Sequence, residues 1–231
     1  MYNQKSFIAI IPARGGSKGI PRKNIIHVND KPLIKYTIDA AKESKYIDRV
    51  IVSTDDKEIA DVSIKCGAEV PFLRPKHLAS DASKTIDVLV HAIEELKREG
   101  FTYDYLVLLQ PTQPLRTSKH IDDAIEKIVK EEEESLVSIT EVSDHPILMR
   151  SLDENGMVHS LLKTNSTLRR QDFPKYYKVN GSIYINKLNH NFNLSTSLND
   201  NKLGFVMDKE FDIDIDEPLD LEILKLLLTG G

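Results

Sequence analysis

The chain has 231 residues, of which 40% are hydrophobic and 29% charged, enough apolar material for one large globular domain or one domain with a small appendage. Thirty-one Lys and Arg against 36 Asp and Glu leave a net charge of −5, which excludes a generally basic nucleic-acid coat. The single cysteine, Cys66, excludes a disulfide framework and a cysteine-based zinc cluster. Taken in order, residues 7–11 are an apolar run that reads as a buried strand. Residues 32–44 place Leu33, Ile34, Thr37, Ile38 and Ala41 on one helical face. A strand is expected at 50–52, then a helix capped by Asp55 or Asp56 and stopped by Gly67, then a third short strand at 68–73. Residues 85–99 carry the helical stripe Ile86, Leu89, Val90, Ile93 and Leu96, ended by Gly100. A buried strand at 105–109, a helix at Ser118–Lys130 and a strand at 136–142 follow.

This alternation of strand and helix predicts a three-layer αβα domain around a mostly parallel sheet. The rhythm breaks over 143–178, which reads as an inserted segment. Strand patterns return at 181–186 and 203–207, and Pro218 opens a helix over 218–228. The expected division is a catalytic unit of residues 1–142 and 179–231, with 143–178 as the insertion. No apolar run approaches the ~18 residues of a membrane span, and 7–11 is too short for the core of a secretory leader. The chain therefore reads as soluble and cytoplasmic.

Charge is unevenly spread. Residues 1–35 hold seven cations and one anion, so the remainder carries −11. Such an asymmetry points to an anionic ligand near the N-terminal end. Ligands of doubly wound sheets bind beyond the carboxyl ends of the strands. After the first strand comes Pro12-Ala13-Arg14-Gly15-Gly16-Ser17-Lys18-Gly19-Ile20-Pro21-Arg22-Lys23-Asn24. Its glycines let backbone N–H groups form an anion nest, and Arg14, Lys18, Arg22 and Lys23 supply charge. The spacing is neither that of a Walker A loop nor that of a dinucleotide fingerprint. Near the other end, Asp212-Ile213-Asp214-Ile215-Asp216 as an extended segment would turn three carboxylates one way and Phe211, Ile213 and Ile215 into the core. The segment is either a strand with one solvated face or, with the cationic loop, the carboxylate half of a divalent-metal and triphosphate site.

Three smaller blocks also lie at strand ends. In Leu109-Gln110-Pro111-Thr112-Gln113-Pro114-Leu115-Arg116, Gln110 can read a base, or Arg116 simply ties the turn. Arg74-Pro75 precedes Leu78-Ala79-Ser80-Asp81. Arg169, Arg170 and Lys178, ahead of Asn180-Gly181, form either a carboxylate site or an interface.

Together these blocks resemble the CMP-sialic acid synthetases, the N-acylneuraminate cytidylyltransferases, over almost the whole chain. The resemblance rests on Ile11 to Gly19 with Lys23-Asn24, on Leu73-Arg74-Pro75 with Leu78 to Asp81, on the Gln110 block, on Asn180-Gly181-Ser182-Ile183-Tyr184, and on Asp212 to Asp216. It implies a nucleotide-diphosphosugar transferase fold, a homodimer, Mg²⁺, and the transfer of CMP from CTP to the anomeric hydroxyl of N-acetylneuraminic acid with release of pyrophosphate. Legionaminic and pseudaminic acids are the alternative acceptors, and surface polysaccharide biosynthesis is the implied setting. Nucleic acid and membranes are not expected partners.

The resemblance assigns the nucleotide to Arg14, Gly15, Gly16, Ser17, Lys18, Lys23, Asn24, Arg74, Ser80 and Gln110. It assigns the sugar to Gln110, Arg170, Asn180 and Tyr184, the metal to Asp214 and Asp216, and catalysis to Arg14, Lys23 and Asp214. Residues 143–178 become the dimerisation segment that reaches over the partner's site. Family members carry a Lys after the His-Pro step, where this chain reads His145-Pro146-Ile147-Leu148-Met149-Arg150. A reading from another class, a nucleotide-binding regulator that keeps the fold without catalysis, requires broken catalytic positions; Arg14, Lys23, Asp214 and Asp216 are all present.

Overall fold

The computed structural model describes residues 1–163 and 169–229. β1 (Phe7–Pro12) leads through a long loop to the hairpin β2 (His27–Val28) and β3 (Lys31–Pro32), then α1 (Leu33–Glu43). β4 (Arg49–Ser53), α2 (Lys57–Lys65), α3 (Thr85–Arg98), β5 (Tyr105–Leu108), α4 (Ser118–Lys130) and β6 (Ser135–Glu141) follow. β7 (Arg150–Leu152) and β8 (Val158–Ser160) form a second small hairpin after β6 in the chain order. β9 (Tyr177–Lys187), β10 (Leu203–Val206) and α5 (Pro218–Thr229) complete the order.

Six strands make the central sheet in the order β10-β6-β9-β5-β1-β4. β9 runs antiparallel to both neighbours, and the remaining pairs are parallel. In β1 every side chain is apolar, because the strand is covered on both faces. Phe7, Ala9 and Ile11 enter the core shared with α1 and α4, while Ile8 and Ile10 meet Leu89, Ala92, Ile93 and Leu96 of α3 on the other side. The helices start at side-chain caps where the sequence supplies them. Asp56 accepts the N–H of Ile59 at 3.0 Å, and Thr117 accepts that of His120 at 3.3 Å; such caps contribute about 1 kcal/mol each.

Three expectations change. Residues 68–73 do not form a strand but two isolated bridges, Ile51 with Glu69 and Thr54 with Leu73. Pro71 between them has no N–H to continue a ladder. The strand expected at 181–186 is longer, antiparallel and bulged. Val137 pairs with Tyr184 and Ile139 with Val179, so residues 180–183 oppose Ser138 alone. The aspartate segment is not a strand either; it follows the 3₁₀ turn Lys209–Phe211 without regular secondary structure.

A smaller third core decides where the two ends of the chain meet. Ile20 of the cationic loop packs with Val28, Leu33, Ile215, Leu221 and Leu224. One apolar cluster thus anchors the loop after β1, the start of α1, the aspartate segment and α5. Burial of Ile20 and Ile215 carries the neighbouring charged residues to the same place.

Candidate active site

The loops after β1 and β5, the connection after β4 and the aspartate segment enclose a cleft of about 410 Å³. Its lining includes Arg14, Ser17, Lys18, Lys23, Asn24, Arg74, Ser80, Gln110 and Asp216. Most of the residues singled out in the sequence therefore converge on one cavity at the carboxyl ends of the strands.

The two charged ends are in direct contact. Lys23 Nζ donates to the Ile215 carbonyl at 2.6 Å and to Asp216 Oδ1 at 2.8 Å. Gly19 makes this approach possible: a Cβ there would lie 2.2 Å from the Asp216 carbonyl oxygen. Asn24 is buried and donates its amide to the Arg14 carbonyl at 3.0 Å, which holds the loop's curvature.

Arg14 and Lys18 both grip Asp81, at 2.8 and 3.1 Å. Lys18, and then Arg14, hold the Asp81 carboxyl below the ordinary carboxylate range. Arg74 is 5% exposed, and its Nε and Nη2 have no hydrogen-bond partner among the described residues. Its nearest anion is Asp55 at 3.7 Å, and burial draws its guanidinium below the ordinary arginine value. Among the described residues four cations thus face two carboxylates in this cleft, and one cation is short of acceptors. An anion with several oxygens answers both deficits.

Asp81 occupies part of the space between the cations that such an anion would take. Asp81→Asn is therefore expected to tighten inorganic pyrophosphate binding about two- to fivefold, the scale of an exposed ion pair. Calorimetric titration at low salt reads this directly; weaker binding would mean that Asp81 orients Arg14 instead of competing for it.

Asp214 meets the hydroxyl of Thr112, and the Ile215 N–H donates to the Thr112 carbonyl at 2.9 Å. Thr112 so holds the aspartate segment against the β5 loop. Asp214 is exposed as a residue but crowded by protein, and this desolvation pushes its carboxyl upward. The charge of Asp216 adds to the rise, while the Thr112 hydroxyl and Lys23 oppose it.

Beside the cleft lies a second cavity of about 410 Å³, reached across Gln110 and Thr85, which line both. Lys84, Tyr184, Thr196, Ser197 and Asn199 are among its walls. Tyr184 is 4% exposed and donates its hydroxyl to Asn199 Oδ1 at 3.2 Å. Its burial, and then Asp214, raise the phenol above its usual value.

Several assigned residues lie elsewhere. Asn180 does not face a cavity: its Oδ1 accepts from Ser138 Oγ at 2.6 Å and from the Ser182 N–H at 3.1 Å, and its Nδ2 donates to Thr140. Its amide is consumed by the β9 bulge, whose unpaired strand groups need partners. The Gly15 N–H donates to Asp55 at 3.0 Å, and neither Gly15 nor Gly16 lines the cleft, so the expected nest is not formed by this pair. Arg22 turns away to Asp56 and Glu58 at the start of α2. Asp212 pairs with Lys178 at 2.9 Å, so the three carboxylates do not share one direction. Arg150 donates to the carbonyls of its own turn, Ile147 and Met149. Arg170 begins the 3₁₀ turn Arg170–Asp172, and its side chain falls outside the described residues.

The model of the cytidylyltransferases matches residues 8–227. This chain belongs to that family. Among similar cytidylyltransferases, a pseudaminic acid cytidylyltransferase of Campylobacter jejuni is 37% identical over 221 residues, 95% of each chain. An N-acylneuraminate cytidylyltransferase of Escherichia coli is 35% identical over 217 residues, which are 94% of this chain and 50% of that one. The solved structure of a CMP:2-keto-3-deoxy-manno-octonic acid synthetase complexed with CTP has the same fold, with TM-score 0.73 at 17% identity over 97% of this chain and 98% of that one.

Sequence reasoning gave no role to three residues that also line this cytidylyltransferase cleft, Asp81, Thr85 and Thr112. Asp81 stands in a block already quoted, but an acidic residue was not expected against a phosphate cradle. Thr112 carried no signal, because its partner is 102 positions away in the chain.

Proposed function

We propose that this cytidylyltransferase transfers CMP from CTP to a nonulosonic acid, releasing pyrophosphate. The observation that carries the reading is the meeting of Arg14, Lys18, Lys23 and Arg74 with Asp216 in one cleft, beside a second, hydroxyl- and amide-lined cavity that shares Gln110. A triphosphate suits the first and a polar sugar acid the second. The anomeric hydroxyl of the sugar attacks the α-phosphorus of CTP, its proton leaves, and the bond to pyrophosphate breaks. Lys23 and Arg14 face the charge that gathers on the departing pyrophosphate, and the chemistry rests on their placement.

Asp214 and Asp216 suit Mg²⁺. Desolvation, and then the charge of Asp216, raise the Asp214 carboxyl, and a divalent cation would offset both. Among the described residues no group of three or more acidic, His or Cys side chains encloses an ion. Mg²⁺ characteristically takes one or two carboxylates and completes its shell with phosphate oxygens and water. When bound, the metal supplies charge neutralisation at the phosphates and acidifies the attacking hydroxyl.

Pseudaminic acid leads as the acceptor, because the similar pseudaminic acid enzyme matches 95% of this chain with 95% of its own. N-acetylneuraminic acid, implied by the sequence blocks, is the second reading. Pyrophosphate release from CTP is measured with pseudaminic, N-acetylneuraminic and legionaminic acids, against ATP, GTP and UTP. Release with CTP and one acid at least ~10-fold faster than with the others names the acceptor; no release with any of them rejects the reading.

A homodimer through residues 143–178 belongs to the same proposal. Leu152, Met157 and Val158 of the β7–β8 hairpin are 69%, 63% and 65% exposed, an apolar edge that association would cover. Sedimentation equilibrium tests it by the mass of one chain or two.

A further inference from the structure

Gln110 lines both cavities, and its surroundings are unusual for a protein interior. Arg116, 2% exposed, lies beneath it. Its Nη1 donates to the Ser182 carbonyl at 2.7 Å and its Nη2 to Thr37 Oγ1 at 2.7 Å; both nitrogens also reach the Gln110 carbonyl, at 3.4 and 3.3 Å. The guanidinium therefore joins β9, α1 and the end of β5. Among the described residues no carboxylate pairs with it, and burial alone draws it down to about 9. Arg116 Nε, Ser182 Oγ and both amide atoms of the 1%-exposed Gln113 have no hydrogen-bond partner among the described residues.

Such a cluster is a poor device for stability. A buried charge without a counter-ion is costly, and well-packed apolar side chains of similar volume serve a core as well or better. What the cluster provides is geometry. Gly181 sits in the β9 bulge at φ +76°, and a Cβ there would lie 3.2 Å from Gln110 Oε1 and 3.8 Å from Gln113 Nε2. The Gln110 amide thus rests against the bare Cα of Gly181, while Arg116 clamps the Gln110 carbonyl and the next carbonyl of the bulge. Arg116 holds the Gln110 carbonyl, and the Gln110 side-chain amide lies beside the same strand irregularity.

We propose that Arg116 is a positioning residue that sets the Gln110 amide, through the β9 bulge, at the boundary between the nucleotide cleft and the sugar cavity. The assignment rests on reading those cavities as substrate sites. A lysine at 116 keeps charge but cannot span three acceptors in a plane. Arg116→Lys should raise KM for CTP and for the sugar acid about 5- to 20-fold, with the fall in kcat smaller than the rise in KM.

The decisive measurement is a double-mutant cycle with Gln110→Ala. In that background the Arg116→Lys substitution should change kcat/KM by less than about twofold. Equal losses in both backgrounds would overturn the assignment. If Arg116→Lys does not fold, Thr37→Val removes one of its acceptors at similar volume and enters the same cycle with the same two outcomes. A readout independent of turnover accompanies it. The Gln110 side-chain amide resonance, identified by its disappearance in Gln110→Ala, should shift or broaden in the Arg116 or Thr37 variant without substrates. An unmoved resonance would sink the proposal even in an active enzyme. A wild-type chain that releases no pyrophosphate would refute the substrate reading instead, with the resonance still reporting on Arg116.

Discussion

Lys23→Ala is expected to lower kcat by ~10²-fold or more, the scale of losing one charged stabiliser in a dry site. Lys23 Nζ hydrogen-bonds the loop after β1 to the aspartate segment, at 2.6 Å to the Ile215 carbonyl and 2.8 Å to Asp216. It is therefore poised between the carboxylate that suits the metal and the cations that suit the phosphates. Charge accumulating on pyrophosphate as the bond breaks is met there by a group already held in place, so no reorganisation is needed at that moment. The fold should tolerate the change. The Lys23 side chain is 15% exposed but its partner Asp216 is 70% exposed, and pairs of that kind contribute little to stability. The convergence itself is maintained by Ile20, Ile215 and Leu224, not by the ion pair. The measurement is steady-state turnover with saturating CTP beside thermal melting. Turnover within threefold of wild type would remove Lys23 from the chemistry, and a collapse of the melting temperature would make it a structural residue.

The elements whose hydrophobic period is set locally were legible in the sequence. The helix expected at Ser118–Lys130 has those bounds in the structure, and Leu89, Ile93 and Leu96 of the stripe read over 85–99, joined by Ala92, meet Ile8 and Ile10. The cationic loop and the aspartates were legible as charge against background, and their meeting followed from where strand ends lie in such sheets. What the sequence hid was pairing. A run such as Tyr177–Lys187 shows which side chains alternate but not that the strand runs antiparallel, nor that it bulges opposite Ser138. The bulge captures Asn180, which the family pattern had assigned to the sugar. Arg116 was legible as a residue that ties the turn, and it does so, but arginine is ordinarily solvated, and only the packing of β5, β9 and α1 shows that this one is enclosed.

Two aspartates only two positions apart should behave differently. Asp214→Asn is expected to abolish Mg²⁺-dependent turnover, with a loss of at least ~10²-fold at metal concentrations that saturate the wild type. Asparagine keeps the size of the side chain and an oxygen for the Thr112 hydroxyl, so the segment stays anchored. What disappears is one of two negative charges, and a hard cation holds a neutral amide oxygen less strongly than a carboxylate. The desolvation and repulsion that raise the Asp214 carboxyl vanish with its charge, so the variant should fold at least as well as wild type. Asp212→Asn is the contrast. Asp212 is tied up by Lys178 at 2.9 Å, whereas Asp214 sits beside Thr112, Asp216 and Lys23, so replacing Asp212 should leave kcat within about threefold. Magnesium titrations of the three proteins read the difference, and loss of free Mn²⁺ signal in paramagnetic resonance reads metal binding without turnover. A wild-type titration curve for Asp214→Asn would take that residue out of the metal site. Equal damage from Asp212→Asn would return the aspartate segment to a single charged strip and leave the geometry described here without functional meaning.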